Sequence, residues 1–253
     1  SVPPVQVGGP VSALEVVQTD RGPVVITASA AGGSLVSYRI GAGQQLEQVS
    51  RIEALTSGIG FDQPAALATV TGPEGSYVLL ASAGSSSLTV FRLTATGALE
   101  AVDHVVDSLE TRFQGASVLE TLVLAGRVFV LLAGADDGLT LMTLLPGGQL
   151  IHLVSLADTQ DMTLGAITAI ATDAMADGTG RIFVASSRDP GLTRLALDIA
   201  PGGVVRQGGA ATLTGTAQDD LLMAGEGVTL MDGGPGDDIL VTAEGAGAAI
   251  QLR

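Results

Sequence analysis

Cysteine, lysine, asparagine and tryptophan are all missing from these 253 residues. Without cysteine, no disulfide fastens the fold and no thiolate serves as nucleophile or metal ligand. Aromatic side chains make up only 3% of the chain, so whatever core it buries must be aliphatic. Positive charge is equally scarce: 11 arginines stand against 26 acidic residues, for a net charge of −15. Such an excess argues against nucleic acid or an anionic membrane face as partner. No run long and apolar enough for a membrane span occurs. The two histidines, His104 and His152, fall at different offsets in neighbouring repeats, so with no cysteine a zinc site is not expected. Lysine and asparagine share A-rich codons, and their absence fits a GC-rich bacterial genome rather than a function. The opening Ser1-Val2-Pro3-Pro4 has neither the basic start nor the apolar stretch of a signal peptide. The absent initiator Met suggests a processed or trimmed chain.

What is present is repetition. Residues 24–52, 77–105 and 128–156 align with one another. Their leading strands read Val24-Val25-Ile26-Thr27-Ala28, Tyr77-Val78-Leu79-Leu80-Ala81 and Val128-Phe129-Val130-Leu131-Leu132. A small-residue turn follows each (Ala135-Asp136-Asp137-Gly138 in the third), then a second strand, a Gly turn and a third strand. A fourth copy starts at Ile182 and turns at Arg188-Asp189-Pro190-Gly191. The starts at 24, 77, 128 and 182 lie 53, 51 and 54 residues apart. A short apolar strand precedes each copy, for instance Ala65 to Val70 and Leu119 to Leu124. Four short strands per unit of about fifty residues is the spacing of β-propeller blades. Residues 157–178 carry the weakest pattern and are expected to hold a short helix or a loop. The second unit, from Tyr77 to Leu93 with Gly97-Ala98-Leu99, resembles blades of phosphogluconolactonase-type propellers. Those rings carry more blades than the three full units and partial fourth visible over residues 12–200. The count implies a small four-bladed ring, one completed by a partner chain, or one cut from a longer protein.

Beyond residue 205 the period shortens. Gly233-Gly234-Pro235-Gly236-Asp237-Asp238-Ile239-Leu240-Val241 fits G-G-x-G-x-D-x-U-x at every defined position, U being a large apolar residue. Turns of the same length begin at Arg206, Gly215, Ala224 and Thr242. Across all five, the eighth position reads Leu213, Leu222, Met231, Leu240 and Ala249, and the fourth Gly209, Gln218, Gly227, Gly236 and Gly245. The sixth reads Ala211, Asp220, Thr229, Asp238 and Gly247, so aspartate returns in alternate turns. The nonapeptide resembles the calcium-binding repeat of repeats-in-toxin (RTX) proteins. That resemblance implies a parallel β-roll in which two nonapeptides complete one coil, so that positions 18 apart, such as Asp220 and Asp238, stack. It implies one calcium ion (Ca2+) at a single edge, held by the carboxylates of Asp220 and Asp238. The backbone of Gly215, Ala217, Gly233, Pro235 and Gly236 would complete the roughly six to eight hard oxygen ligands calcium takes. The opposite edge, with Ala211, Thr229 and Gly247, offers no carboxylate. Bacterial RTX proteins use calcium where other secreted proteins use disulfides, and leave through a type I exporter using an uncleaved C-terminal signal.

The expected architecture is therefore all-β. β-Propeller-like repeats, about four blades being visible, occupy residues 1–205, and a short parallel β-roll occupies 206–253. No Gly-x-Ser-x-Gly, His-Glu-x-x-His or phosphate-cradling glycine loop occurs, so no catalytic residue is assigned. Asp136 and Asp137 read as turn residues, with a second calcium contact as the alternative. Glu110 and Arg112, in the connection between repeats, read as a salt bridge. The functional expectation is a secreted bacterial calcium-binding protein, extracellular or at the cell surface, acting as a non-catalytic binding or structural module. Its partner would be a protein, a glycan or further copies of itself. Two alternatives stay open: a lactonase-like hydrolase with an RTX export tail, and a subunit of an extracellular filament, lattice or particle.

Overall fold

The computed structural model describes residues 9–72, 75–188, 190–198, 203–242 and 251–252; Asp189 and the turn positions Gly245, Gly247 and Ala249 lie outside them. Four meandering sheets come first, each laid down in chain order. β1 (Ala13–Thr19), β2 (Gly22–Ser29), β3 (Ser34–Ile40) and β4 (Leu46–Glu53) form the first, followed by a single helical turn, α1 (Ala54–Ser57). β5 (Pro64–Gly72), β6 (Gly75–Ser82), β7 (Ser87–Leu93) and β8 (Leu99–Val106) form the second. β9 (Val118–Leu124), β10 (Arg127–Ala133), β11 (Gly138–Leu144) and β12 (Leu150–Ala157) form the third. The fourth has three strands, β13 (Ile167–Ala174), β14 (Thr179–Ser186) and β15 (Leu192–Asp198).

β6, β10 and β11 are almost entirely apolar or small-residue runs because both of their faces are covered. β10 and β11 are buried at every residue, whereas the outer β12 is nowhere fully buried. Alternate residues of β6 go to opposite sides. Val78 and Leu80 join Val24, Ile26 and Leu35 of the first sheet, while Leu79 and Ala81 join Val130, Leu132 and Met142 of the third. Successive sheets thus share cores across their faces, the arrangement of propeller blades. A β-bulge recurs between the third and fourth strands of each of the first three sheets, at Ser37/Tyr38, Val90/Phe91 and Leu141/Met142. Bulges increase local twist, so the outer edge of each blade is turned at the same place.

Residues 157–178 correct the sequence reading: a loop accounts for their first part, but Ile167–Ala174 is the strand β13. Only Ile167 and Ile170 of that strand are buried. Three alanines, two threonines and an aspartate fill the other six positions, and they erase the apolar alternation by which strands are recognised.

The chain's contacts divide it into two compact units, one of Ser1–Leu122, Val128–Thr172 and Ile182–Arg194, the other of Val123–Arg127, Asp173–Arg181 and Leu195–Arg253. The second unit contains a parallel roll. β16 (Val205–Gly208), β17 (Thr212–Thr214), β18 (Leu221–Ala224), β19 (Leu230–Asp232), β20 (Ile239–Val241) and β21 (Gln251–Leu252) alternate between two sheets, ordered β16-β18-β20 and β17-β19-β21. Leu222 pairs with Leu240 and Leu213 with Met231, each pair 18 residues apart, so one coil takes two nonapeptides. The first rung is shorter, Arg206 pairing with Leu222. Leu213, Leu222 and Met231 are buried with Ala224 and Val228 in a small core of their own, with Leu240 packed against it. The apolar column of the repeat is thus the inner wall of the coil.

Candidate functional site

Two turns of the roll, Gly215–Asp220 and Gly233–Asp238, share one edge because the strands that follow them, β18 and β20, pair in register. Stacking brings backbone directly against backbone. A Cβ added to Gly234, whose φ is +88°, would lie 2.1 Å from the Thr216 carbonyl oxygen. One added to Gly215 would lie 2.3 Å from both the Gly233 carbonyl oxygen and Asp220 Oδ2. Glycine therefore lets a carbonyl and a carboxylate oxygen converge where any side chain would intrude.

Asp220 is 0% exposed. Its Oδ1 accepts the Val204 N–H at 2.6 Å, its Oδ2 accepts the Thr216 N–H, and the Thr216 hydroxyl donates to the carboxylate at 3.1 and 3.2 Å. One coil later, Asp238 Oδ1 accepts the Asp220 N–H at 2.9 Å, and beside it Asp219 Oδ1 accepts the Asp237 N–H at 2.9 Å. The sixth-position carboxylates are thus rungs, each reaching back to the coil before it. Burial alone would raise the Asp220 carboxyl. The Thr216 and Val204 N–H groups, the Thr216 hydroxyl and the charge of Arg206 outweigh it and hold the group below the ordinary carboxylate range. Arg127, 7% exposed, donates from Nη1 to the Asp219 carbonyl at 3.1 Å. Burial lowers its guanidinium, and the charges of Asp219 and Asp220 work the other way.

The structure brings Asp220 and Asp238 together, with Gly215 and Gly233 alongside, while Ala217, Pro235 and Gly236 lie exposed on the same two turns. Thr229 belongs to the other half-coil, its hydroxyl donating to the Ala211 carbonyl at 3.0 Å. The oxygens available at the edge are carboxylate, carbonyl and hydroxyl oxygens, a hard donor set that suits calcium. Among the described residues no three His, Cys, Asp or Glu side chains converge to hold a metal, so backbone carbonyls would have to supply much of the shell.

A second feature lies among the blades. The hairpin turns between β6 and β7 and between β10 and β11 latch the connections between sheets. Ser85 and Ser86 hydroxyls accept the Asp62 and Gly115 N–H groups at 2.9 and 3.0 Å. Asp136 and Asp137 carboxylates accept those of Gln114 and Ala166 at 2.8 and 2.9 Å. Asp107 and Asp158 do the same within their own connections, accepting from Phe113 at 3.1 Å and Leu164 at 2.7 Å. Sequence reading missed these latches. The signal was available, an aspartate six residues before a buried Phe or Leu in both connections.

Beside the connection from β8 to β9 is an open cleft of about 580 Å³ lined by Asp107, Ser108, Leu109, Thr111, Arg112, Gln114 and Asp136. Burial and then the charge of Asp107 raise the Asp136 carboxyl, against its own and the Gln114 N–H and Arg112. The salt bridge expected between Glu110 and Arg112 is not formed. The Arg112 N–H is anchored on Thr140 Oγ1 at 2.7 Å and its side chain lines the cleft, while Glu110 is exposed and takes no part in the lining. Each histidine engages a nearby hydroxyl: His104 Nδ1 with Thr89 Oγ1 and His152 Nε2 with Ser155 Oγ, both at 2.9 Å.

No protein-family profile and no curated protein matches this chain. Solved structures resemble it. BBS1N, solved in complex with ARL6DN, is similar with a TM-score of 0.51 and 15% identity, over 79% of this chain and 58% of that one. A candidate 6-phosphogluconolactonase from Bacteroides uniformis gives a TM-score of 0.49 at 14% identity, over 75% and 57% of the two chains. One from Bacteroides fragilis gives 0.45 at 14%, over 73% and 54%. The chain therefore spans between 54% and 58% of the length of these structures. At such identities the likeness is one of fold: an all-β chain with propeller-like repeats.

Proposed function

We propose that this chain is a non-catalytic, calcium-responsive binding or structural module of the RTX type. Its propeller-like repeats would present a surface to a protein or glycan partner. The observation that carries the reading is the stacking of Asp220 and Asp238 on one edge of the roll, with the Gly233 carbonyl and Asp220 Oδ2 converging beside Gly215. The residues that line the place for the ion are Asp238 and Asp220 with the carbonyls of Gly215, Ala217, Gly233, Pro235 and Gly236. Bound calcium would add positive charge between turns that each carry a sixth-position carboxylate. So few carboxylates favour a weak site. Extracellular modules bind calcium at about 10⁻⁴–10⁻³ M. A site in that range stays empty in the cytosol and fills outside, which favours an exported bacterial protein. The test is a calcium titration by calorimetry, with far-UV circular dichroism and EGTA reversal, on the chain and its Asp238→Ala variant. Saturable binding that the variant loses supports the reading. No heat up to several times the 10⁻³ M range rejects it.

A second reading is favoured by the cleft of Asp107, Arg112 and Asp136. A carboxyl held above its usual range beside an arginine is a pairing that lactone hydrolysis could use, one group handling a proton and the other an oxyanion. Two of the similar structures are candidate 6-phosphogluconolactonases, and their substrate is the natural probe. Hydrolysis of a phosphorylated sugar lactone, lost in both Asp136→Ala and Arg112→Ala, would establish this reading; no hydrolysis above buffer would remove it.

A further inference from the structure

The two aspartates of the roll sit in different surroundings. Asp220 is fully buried, and its two oxygens receive donors from the Val204 N–H, the Thr216 N–H and the Thr216 hydroxyl. Positive charge is already beside it. Arg127, on the first residue of β10, donates to the carbonyl of the preceding residue, Asp219, and Arg206 on β16 is near enough to favour the charged carboxylate. Asp238 is half-buried, and its Oδ1 accepts the Asp220 N–H. Its Oδ2 faces Gly233, lying 2.2 Å from where a Cβ there would stand. The turns differ in sequence at the position that matters: Thr216 stands where its stacked counterpart one coil later is Gly234. A residue at that place has its N–H and hydroxyl within reach of the sixth-position carboxylate four residues on.

We infer that Asp220 is a metal-independent fastener of the coil, with Thr216 and Arg127 taking the part an ion would otherwise play, and that Asp238 alone contributes its carboxylate to a cation. Thr216 is thus a positioning residue: it fixes the Asp220 carboxylate so that Oδ1 stays on the Val204 N–H and the first coil closes without metal. The half of this inference that concerns Asp238 rests on the calcium reading; the half that concerns Asp220 does not. It replaces a symmetric site, in which both carboxylates share one ion, by a roll whose first coil is built in and whose second responds to calcium.

Amide hydrogen exchange on the full chain, in EGTA and in millimolar calcium, separates the two halves. In EGTA the Val204 and Thr216 amides of the wild type should already be protected. Asp220→Asn should speed their exchange at least tenfold, while Asp238→Asn should leave them protected and abolish every calcium-induced change. Where Asp220→Asn fails to fold, Thr216→Val removes only the hydroxyl. It should speed exchange at Val204 in EGTA, and Thr216→Ser should restore it. Thr216→Gly, which matches the partner turn at that position, should make protection of the first coil depend on calcium and add a second equivalent of bound ion. Wild-type amides that exchange freely in EGTA and gain protection only with calcium would overturn the inference and leave the calcium reading standing. Unchanged exchange in Thr216→Val would overturn it as well. Protection lost in Asp220→Asn with no calcium response in any variant would support the fastener and remove the calcium reading.

Discussion

Gly234 and Gly178 form a matched pair for testing whether the roll depends on backbone contact between its turns. Both have φ +88°, and both belong to the same compact unit. A Cβ on Gly178 would meet nothing within 4 Å, whereas one on Gly234 would lie 2.1 Å from the Thr216 carbonyl oxygen. Gly178→Ala therefore pays only for a left-handed backbone, about 1–2 kcal/mol. Gly234→Ala adds a steric term, because the turns must part until the 2.1 Å approach reaches the 3.4 Å of ordinary contact. Overpacking of that kind costs about 1–3 kcal/mol more. A displacement of that size also stretches the neighbouring Asp220 N–H to Asp238 Oδ1 bond, now 2.9 Å, past hydrogen-bonding range. Urea unfolding of the two variants followed by far-UV circular dichroism gives the difference, and exchange of the Asp220 amide reports the broken rung. Equal destabilisation, with the Asp220 amide still protected in Gly234→Ala, would refute the stacked-turn geometry.

Met231 is 0% exposed at the centre of the roll's small core, so Met231→Ala should cost about 2–5 kcal/mol and unfold the roll at lower urea than the wild type, read by circular dichroism. Asp107→Ala strips the acceptor from the Phe113 N–H and the Thr111 hydroxyl and should cost about 1–3 kcal/mol in thermal unfolding. Asp107→Asn keeps a carbonyl oxygen there and should recover much of the loss. Asp220 has a folded-state pKa below its unfolded value, so its contribution is complete above the usual carboxylate range near about 3.9. It is lost as pH falls through the lower folded value. Stability measured against pH should therefore decline in acid, and the decline should be shallower in Asp220→Asn.

The blades were legible where burial is two-sided. Val78 to Ala81 and Val128 to Ala133 are each covered on both faces, which forces an unbroken apolar run that no loop would carry. β13 is covered far less, so its strand character is carried by small and polar residues and the run disappears. The recurring bulges were not legible for another reason. They arise where one strand slips against its neighbour, and Ser37, Val90 and Leu141 share no residue type that would mark the slip. Asp136 and Asp137 are a third case. A turn accounts for aspartate by itself, so the sequence carries no mark of the backbone N–H groups of Gln114 and Ala166, from which their carboxylates accept hydrogen bonds.

In the roll, periodicity placed the aspartates correctly relative to each other but treated them as equals. A nine-residue pattern fixes which positions stack, since pairing in a parallel sheet follows register and register follows the apolar column. It does not fix what each carboxylate binds, because that depends on residues outside the aspartate column. Thr216 and Gln218 stand where the matching turn has Gly234 and Gly236, and by pattern alone they are decay of the repeat. In the structure Thr216 gives Asp220 two donors, and Arg127, from a hairpin far away in sequence, brings its guanidinium to the same turn. A buried carboxylate without donors would be costly, so loss of a turn glycine next to an aspartate is tolerable only when the new side chain supplies them. The same reasoning sets the intact glycine at 234 apart: the turn from Gly233 to Asp237 carries no side-chain hydroxyl to donate to the carboxylate of Asp238.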